Sequence, residues 1–150
     1  AAGVLASDQE RFSLLDRKME ENRLAFCQQH RMAFLAYSPL ARGLLTGKSG
    51  PERQFSETDQ RYDDPRFSVE NRRRVAEILA QIRPITEQHE ITFAQLAVAW
   101  TIHQPGVSHA LVGARNPRQA EENAAAGNVQ LSEEQLREIL QAMAKHAATV

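Results

Sequence analysis

The chain has little cysteine and no long apolar run, and each scarcity argues against a class of protein. Cys27 is its only cysteine, which excludes a disulfide within the chain and favours a reducing compartment. No apolar run approaches the roughly 20 residues that a membrane-spanning helix needs. The N-terminal residues lack the basic stretch that opens a signal peptide. We therefore expect a cytoplasmic protein with no membrane partner.

Charge of one sign is also lacking. Among 150 residues, 18 are Lys or Arg and 19 are Asp or Glu, which gives a formal net charge of −1. This balance supplies no electrostatic reason to expect nucleic acid as a partner. The 5 histidines show no ligand spacing and Cys27 has no second cysteine beside it, so no metal site is predicted.

What the sequence does contain is an alternation of short apolar runs and amphipathic stretches, over a length that suits a single domain, residues 1–150. The alternation is typical of βα units and predicts an α/β fold with a parallel sheet. Strands are predicted at residues 3–9, 33–37 and 109–113. About three βα units plus a C-terminal helix leave the faces and edges of such a sheet poorly covered, which indicates part of a larger structure.

The helices are predicted from apolar spacing and from capping residues. They cover residues 19–30, a stretch through 75–82 that Pro84 kinks or ends, and three shorter stretches that begin after Thr92, Asn116 and Ser132. Leu24, Phe26 and Cys27 are expected to face inward, Trp100 to lie in the core, and Arg72, Arg73 and Arg74 to form a solvated face. A long loop occupies about residues 41–67, and loops of this length are usually functional or disordered.

The segment after the second strand carries ligand-binding chemistry. Residues 34–48 read FLAYSPLARGLLTGK, so the strand ends in an aromatic ring and a hydroxyl, followed by two glycines and two cations. The end of a strand is where βα proteins place ligand groups, and the glycines permit a close approach of the backbone. The composition suits a phosphate-bearing ligand. An ordinary strand end and turn explains the same residues equally well.

A second segment, VGARNPRQAEEN at residues 112–123, joins the third strand to a helix capped by Asn116. Arg115 and Arg118 flank the helix start, where an anion would meet both positive charge and the helix dipole. The face that could hydrogen-bond a heterocyclic base carries Gln119, Glu122 and Asn123. A well-capped surface helix is the alternative, and neither segment is a P-loop or a GxGxxG fingerprint.

AYSPLARGLLTGK and GARNPRQAEEN, with ASDQERFSLLDR before them, resemble the cofactor-binding segments of the aldo-keto reductases. The likeness runs over almost the whole chain. It implies a (β/α)8 TIM barrel that binds NADP(H) across its strand ends and reduces aldehydes or ketones by hydride transfer. The chain resembles the C-terminal portion, about strands six to eight, since a whole barrel needs about 250 residues. The family's catalytic Asp, Tyr, Lys and His have no counterpart here, so no catalytic residue is assigned.

The resemblance also implies roles for individual residues. Gln9 would hydrogen-bond the nicotinamide carboxamide, Tyr37 would stack on the nicotinamide ring, and Arg61 would approach the adenosine. The other cofactor-binding residues would be Ser38, Leu40, Arg42 and Lys48 at the pyrophosphate, Gly113, Arg115 and Gln119 at the 2′-phosphate, and Glu122 and Asn123 at the adenine. Asp8 and Glu10 depart from the Asn and the apolar residue common in the family, and their charge puts an ordinary nicotinamide pocket in doubt.

Two functions are compatible with these residues. The first is the NADP(H)-binding C-terminal portion of a carbonyl reductase, inactive alone and acting on a small carbonyl substrate when an N-terminal half completes it. The second is a truncated, non-catalytic homologue that serves as a nucleotide-binding or protein-interaction module. Exposed sheet edges favour a homo-oligomer in either case. Activity with a generic aldehyde would separate the two.

Overall fold

A computed structural model describes residues 5–146 of the chain. In this part three strands form one parallel sheet in the order β1-β2-β3, with β1 at Ser7–Arg11, β2 at Ala33–Tyr37 and β3 at His109–Leu111. The α-helices are α1 at Arg23–Gln29, α2 at Val69–Gln88, α3 at Phe93–Ile102, α4 at Pro117–Ala125 and α5 at Glu133–His146. The predicted α/β class, with three βα units, is confirmed.

The strand limits differ from the prediction because pairing with β2 sets them. β1 continues past residue 9 to Arg11, which lies opposite Tyr37. β3 ends at Leu111 because only residues 35–37 of β2 pair with it. The predicted beginning of the first strand, at residues 3 and 4, lies outside the described residues.

The helix predicted over residues 19–30 is shorter, since the chain first makes a 3-10 turn at Lys18–Glu20 and then enters α1. Leu24 and Cys27 are buried, as predicted. Phe26 is 45% exposed and lies against the ring of His30, so its inward placement was wrong. It follows Leu24 by two residues, about 200° around the helix, and therefore points away from the sheet.

Pro84 does not end α2, which continues for four more residues to Gln88. A proline inside a helix removes one hydrogen bond and costs about 3 kcal/mol. Ile82 and Ile85 on either side of it are almost completely buried, and such burial contributes about 1.5–3 kcal/mol for each side chain. The apolar face of α2 thus outweighs the local penalty, and α2 packs against α5.

The helices cover one face of the sheet. Phe34 and Ala36 of β2 are completely buried on this face. Phe12, just after β1, meets Phe34 edge-on and stacks on Trp100 of α3, with ring centroids 6.1 and 5.7 Å apart. Aromatic pairs of this kind contribute about 0.5–1.5 kcal/mol beyond their burial. Trp100 is therefore a core residue, as predicted.

The other face of the sheet is open among the described residues. Side chains alternate along a strand, so Gln9, Leu35 and Tyr37 point to this face. Tyr37 and Leu111, which lie opposite each other on neighbouring strands, are 39% and 41% exposed. No helix in residues 5–146 combines the length and apolar character that crossing a membrane requires.

Candidate functional site

A groove of about 820 Å³ runs along the carboxyl-terminal edge of the sheet. β2 and β3 both end at this edge, at the paired residues Tyr37 and Leu111. Because the strands are parallel, the segments that follow them leave the sheet at the same place and form two walls of the groove. The two segments that the sequence analysis selected, 36–48 and 113–123, are therefore brought together.

Every predicted cofactor-binding residue except Gln9 lines the groove. The residues that it brings together are Tyr37, Ser38, Leu40, Arg42, Lys48, Gly113, Arg115, Gln119, Glu122 and Asn123, with Arg61 beside them. Gln9 lies opposite Leu35 on the open face, two residues before Tyr37 in the register. Two residues of strand span about 7 Å, so Gln9 lies below the groove rather than in its wall.

Asp8 and Glu10 alternate with Gln9 and point to the helix-covered face of the sheet. Asp8 pairs there with Arg23 of α1, whose Nε lies 3.4 Å from its Oδ2 atom. The sequence analysis doubted an ordinary nicotinamide pocket because of these two charges, and the register places them across the sheet from Tyr37. Burial raises the pKa of the Cys27 thiol, and the Asp8 carboxylate raises it further.

The wall that follows β2 has an unusual backbone. Residues with positive φ between 38 and 47 are Ser38 (58°), Ala41 (47°), Arg42 (55°), Gly43 (99°) and Gly47 (73°). The left-handed region costs a residue other than glycine about 1–2 kcal/mol. Buried Leu44 and Leu45 anchor the segment, and the Gly43 carbonyl accepts hydrogen bonds from the hydroxyls of Thr46 and Ser49. Backbone strain held in this way is typical of ligand-binding segments.

Ion pairs fix the loop that follows, over residues 48–67. Asp64 accepts hydrogen bonds from Arg66 and from Arg42, whose Nη1 lies 2.7 Å from Oδ2. These arginines, Arg66 first, hold the pKa of the Asp64 carboxyl below its usual range. Arg61 pairs with Asp59 and lowers the pKa of that carboxyl in the same way. Arg42 and Arg61 line the groove, but their charges are already engaged.

Arg72 of α2 joins this loop to the helix layer. It is 4% exposed, and its guanidinium donates to the carbonyls of Phe67 and Arg53, both at 2.8 Å, and to that of Gly50. The prediction that Arg72 is solvated was therefore wrong, whereas the neighbouring Arg73 is exposed. The carbonyls of an irregular loop lack partners in regular secondary structure, and a buried arginine supplies several donors at once.

The α4 wall is arranged by side-chain hydrogen bonds. The Asn116 side chain accepts from the Gln119 backbone N–H at 2.9 Å, which confirms the predicted cap. The Gln119 side chain accepts in turn from the Arg115 N–H, also at 2.9 Å. Glu122 accepts from the hydroxyl of Thr92 at 2.7 Å. The guanidinium of Arg115 makes no ion pair with any residue of the described part, so its charge is available to a ligand.

The third wall was missed by the sequence analysis. It is the corner where α2 ends and α3 begins, and it contributes Arg83, Thr86, Glu87, Glu90, Ile91, Thr92, Phe93 and Ala94. The sequence contained a signal for it. α3 leads back into β3, so α3 begins at the edge where the parallel strands end, and its capping residue Thr92 had been identified only as a helix start.

The sequence profile of the Aldo/keto reductase family matches residues 4–144. This chain belongs to that family. It is 36% identical over 131 residues to the NADH-specific methylglyoxal reductase of Escherichia coli, an alignment that covers 87% of this chain and 40% of that protein. It is 32% identical over 131 residues to the aldo-keto reductase yakc [NADP(+)] of Schizosaccharomyces pombe, covering 87% and 38%.

A solved structure has the same arrangement of elements. The glycerol dehydrogenase AKR11B4 from Gluconobacter oxydans superposes with a TM-score of 0.88 at 29% identity, over 97% of this chain and 44% of that one. The chain thus spans about 40% of the length of the curated relatives that it matches. The three-strand sheet corresponds to part of the family's TIM barrel, which confirms the predicted partial-barrel fold.

Proposed function

We propose that this chain is the NADP(H)-binding portion of an aldo-keto reductase and corresponds to strands six to eight of the barrel. One observation supports this most directly. Two segments about 65 residues apart in sequence converge on one groove at the ends of β2 and β3. The parallel strands bring the two segments to one edge of the sheet, and the groove between them is lined by residues of both segments and has a volume that suits a cofactor of dinucleotide size.

The charges of the groove favour an anionic dinucleotide. Lys48 and Arg115 line it, and neither forms an ion pair within residues 5–146. Arg115 precedes the N-terminus of α4, where the helix dipole also attracts negative charge. The relatives include one protein named for NADH and one for NADP(+), so the preference for a 2′-phosphate depends on the cations of this particular chain.

The nicotinamide supplies the hydride for carbonyl reduction when it is bound. The share of this chain in that reaction is to bind and orient the dinucleotide, with the half-exposed ring of Tyr37 beside the nicotinamide. Groups that bind the carbonyl and give it a proton come, in this proposal, from the part of the barrel outside this chain. The single buried thiol of Cys27 suits a cytoplasmic location.

The open face of the sheet supports a second candidate function. Tyr37 and Leu111 expose apolar surface where a complete barrel has its interior. A chain of this length, acting alone, would be a nucleotide-binding or protein-interaction module without catalysis. It would also be expected to self-associate through this face, which sedimentation at micromolar concentration would detect.

The test is NADPH binding to the 150-residue chain, measured by titration calorimetry. We expect micromolar affinity, with Arg115→Ala weakening it about tenfold, or about 1.4 kcal/mol. Arg118→Ala is the matched control, because Arg118 lies three residues further along, in the first turn of α4, and outside the groove. Failure of the wild-type chain to bind, or equal losses in both variants, would contradict the proposal. Reduction of a generic aldehyde by the chain alone would contradict the assignment of catalytic groups outside it.

A further inference from the structure

We propose that Arg83 determines nucleotide specificity by binding the phosphate on the adenosine ribose, the 2′-phosphate of NADP(H), from the α2–α3 corner. The inference rests on the proposed function and goes beyond it. Neither the two sequence segments nor the family resemblance assigns a role to this wall. Four observations on the corner support the proposal.

The corner adjoins the α4 face that the proposed function assigns to the adenine. Thr92 caps α3 and donates a hydrogen bond to Glu122, which belongs to the α4 face expected to meet the adenine. Phe93 is the next residue, and Arg83 contacts its ring. The α2–α3 corner and the α4 wall therefore join at the Thr92–Glu122 hydrogen bond, and Arg83 lines the same groove as Arg115.

The guanidinium of Arg83 is oriented but not neutralised. Its Cζ lies 5.2 Å from the centroid of the Phe93 ring, a cation–π contact. Glu87 stands one helical turn later and also lines the groove, yet it forms no ion pair with Arg83. A guanidinium that stacks on an aromatic face keeps its N–H donors at its edge, where they can bind two phosphate oxygens.

The Phe93 platform is itself held in place. Gly47, at the end of the strained segment after β2, approaches the ring so closely that an added Cβ would lie 2.9 Å from Phe93 Cδ2. On the other side, the capping box of Thr92 and Gln95 fixes the first turn of α3. Arg83 therefore rests on a ring that contacts the loop expected to hold the pyrophosphate.

Among the described residues, Arg83 is the one positive charge that the α2–α3 corner presents to a ligand. The other ionisable residues of this wall are Glu87 and Glu90. Without Arg83 the wall would present only negative charge to an anionic ligand. Loss of this one cation should therefore reduce binding of a phosphate at this end of the groove more than the loss of an isolated surface charge would.

The experiment compares three fragments of the dinucleotide, 2′,5′-ADP, ADP and 5′-AMP, by titration calorimetry with the 150-residue chain. We expect the wild type to prefer 2′,5′-ADP over 5′-AMP, and Arg83→Gln to reduce that preference about tenfold while changing affinity for 5′-AMP and ADP less than twofold. Arg83→Lys, which keeps the charge, should restore part of the preference. Arg73→Gln is the matched control, because Arg73 is exposed on the same helix and lies outside the groove.

The outcomes separate this inference from the function on which it rests. If the wild type binds none of the three fragments, the proposed function fails and this inference fails with it. If the wild type binds them but shows no preference for 2′,5′-ADP, or if Arg83→Gln leaves the preference unchanged, only the role of Arg83 is overturned. Equal losses for all three fragments would also overturn it, because they would indicate a general electrostatic effect rather than recognition of the ribose phosphate.

Discussion

Two sets of cations line the same groove, and they differ in what they contact. Arg42 and Arg61 are paired with Asp64 and Asp59 in the loop over residues 48–67. Lys48, Arg83 and Arg115 form no ion pair within the described residues. Basic residues of the groove thus serve two purposes. Paired arginines hold the loop in place, and unpaired cations are available to a ligand.

The difference matters because a paired charge is costly to redirect. A phosphate that recruits Arg42 has to replace its bond to Asp64, and a hydrogen bond to a charged group contributes about 1.5–3 kcal/mol. Arg115 and Arg83 carry no such cost. We therefore expect the unpaired set to dominate affinity, while Arg42 contributes mainly by shaping the segment after β2.

Replacing Arg72 should loosen the loop that carries the ion-pair partners of Arg42 and Arg61. Its guanidinium is buried and donates to the carbonyls of Phe67, Gly50 and Arg53, so Arg72→Ala leaves one buried and two partly buried acceptors without this donor. We expect a loss of about 3 kcal/mol in the free energy of unfolding, measured by urea denaturation. The exposed neighbour gives the control, since Arg73→Ala should cost less than about 0.5 kcal/mol. Equal losses in the two variants would show that Arg72 does not hold the loop.

Replacing Gly47 should disturb the contact between the segment after β2 and Phe93, the ring on which Arg83 rests. Gly47 has φ +73°, and a Cβ added there would lie 2.9 Å from Cδ2 of Phe93. Gly47→Ala therefore combines backbone strain with steric overlap between the new methyl group and the ring. We expect a loss of about 2 kcal/mol in the free energy of unfolding. Gly127→Ala is the matched control, because nothing lies within 4 Å of an added Cβ there. A neutral Gly47→Ala would mean that the loop does not rest on Phe93.

The parts of the site that depend on short sequence patterns, such as the end of an apolar run or a capping residue, were predictable from the sequence. The end of β2 at Tyr37 follows from an apolar run that stops, and the start of α4 follows from the Asn116 cap. The alternation of β1 also carried a usable signal. Because Asp8 and Gln9 are adjacent in a strand, they point to opposite faces of the sheet, so the charge of Asp8 gave no reason to doubt a pocket on the face of Gln9.

The contacts of the irregular segments could not be read in the same way. Arg72 is buried only because the path of the loop brings the Gly50 carbonyl to it across 22 positions of sequence. No periodicity encodes that path. Arg83 likewise meets Phe93 because α2 continues through Pro84, against its local preference, and carries the helix end to the groove. Tertiary packing therefore decided which cations are paired.

Replacing Asp64 should transfer Arg42 from the paired set to the unpaired one. Asp64→Asn removes the carboxylate that accepts from Arg42 and Arg66, and we expect a loss of about 1 kcal/mol in the free energy of unfolding at pH 7. The folded pKa of Asp64 lies below its unfolded value, so its contribution is complete above about pH 4 and disappears as the pH falls through the lower folded pKa. Denaturation of both proteins between pH 2 and pH 7 should therefore give a stability difference that is constant down to about pH 4 and shrinks below it. A difference that stays constant at low pH would show that the Asp64 charge does not stabilise the loop.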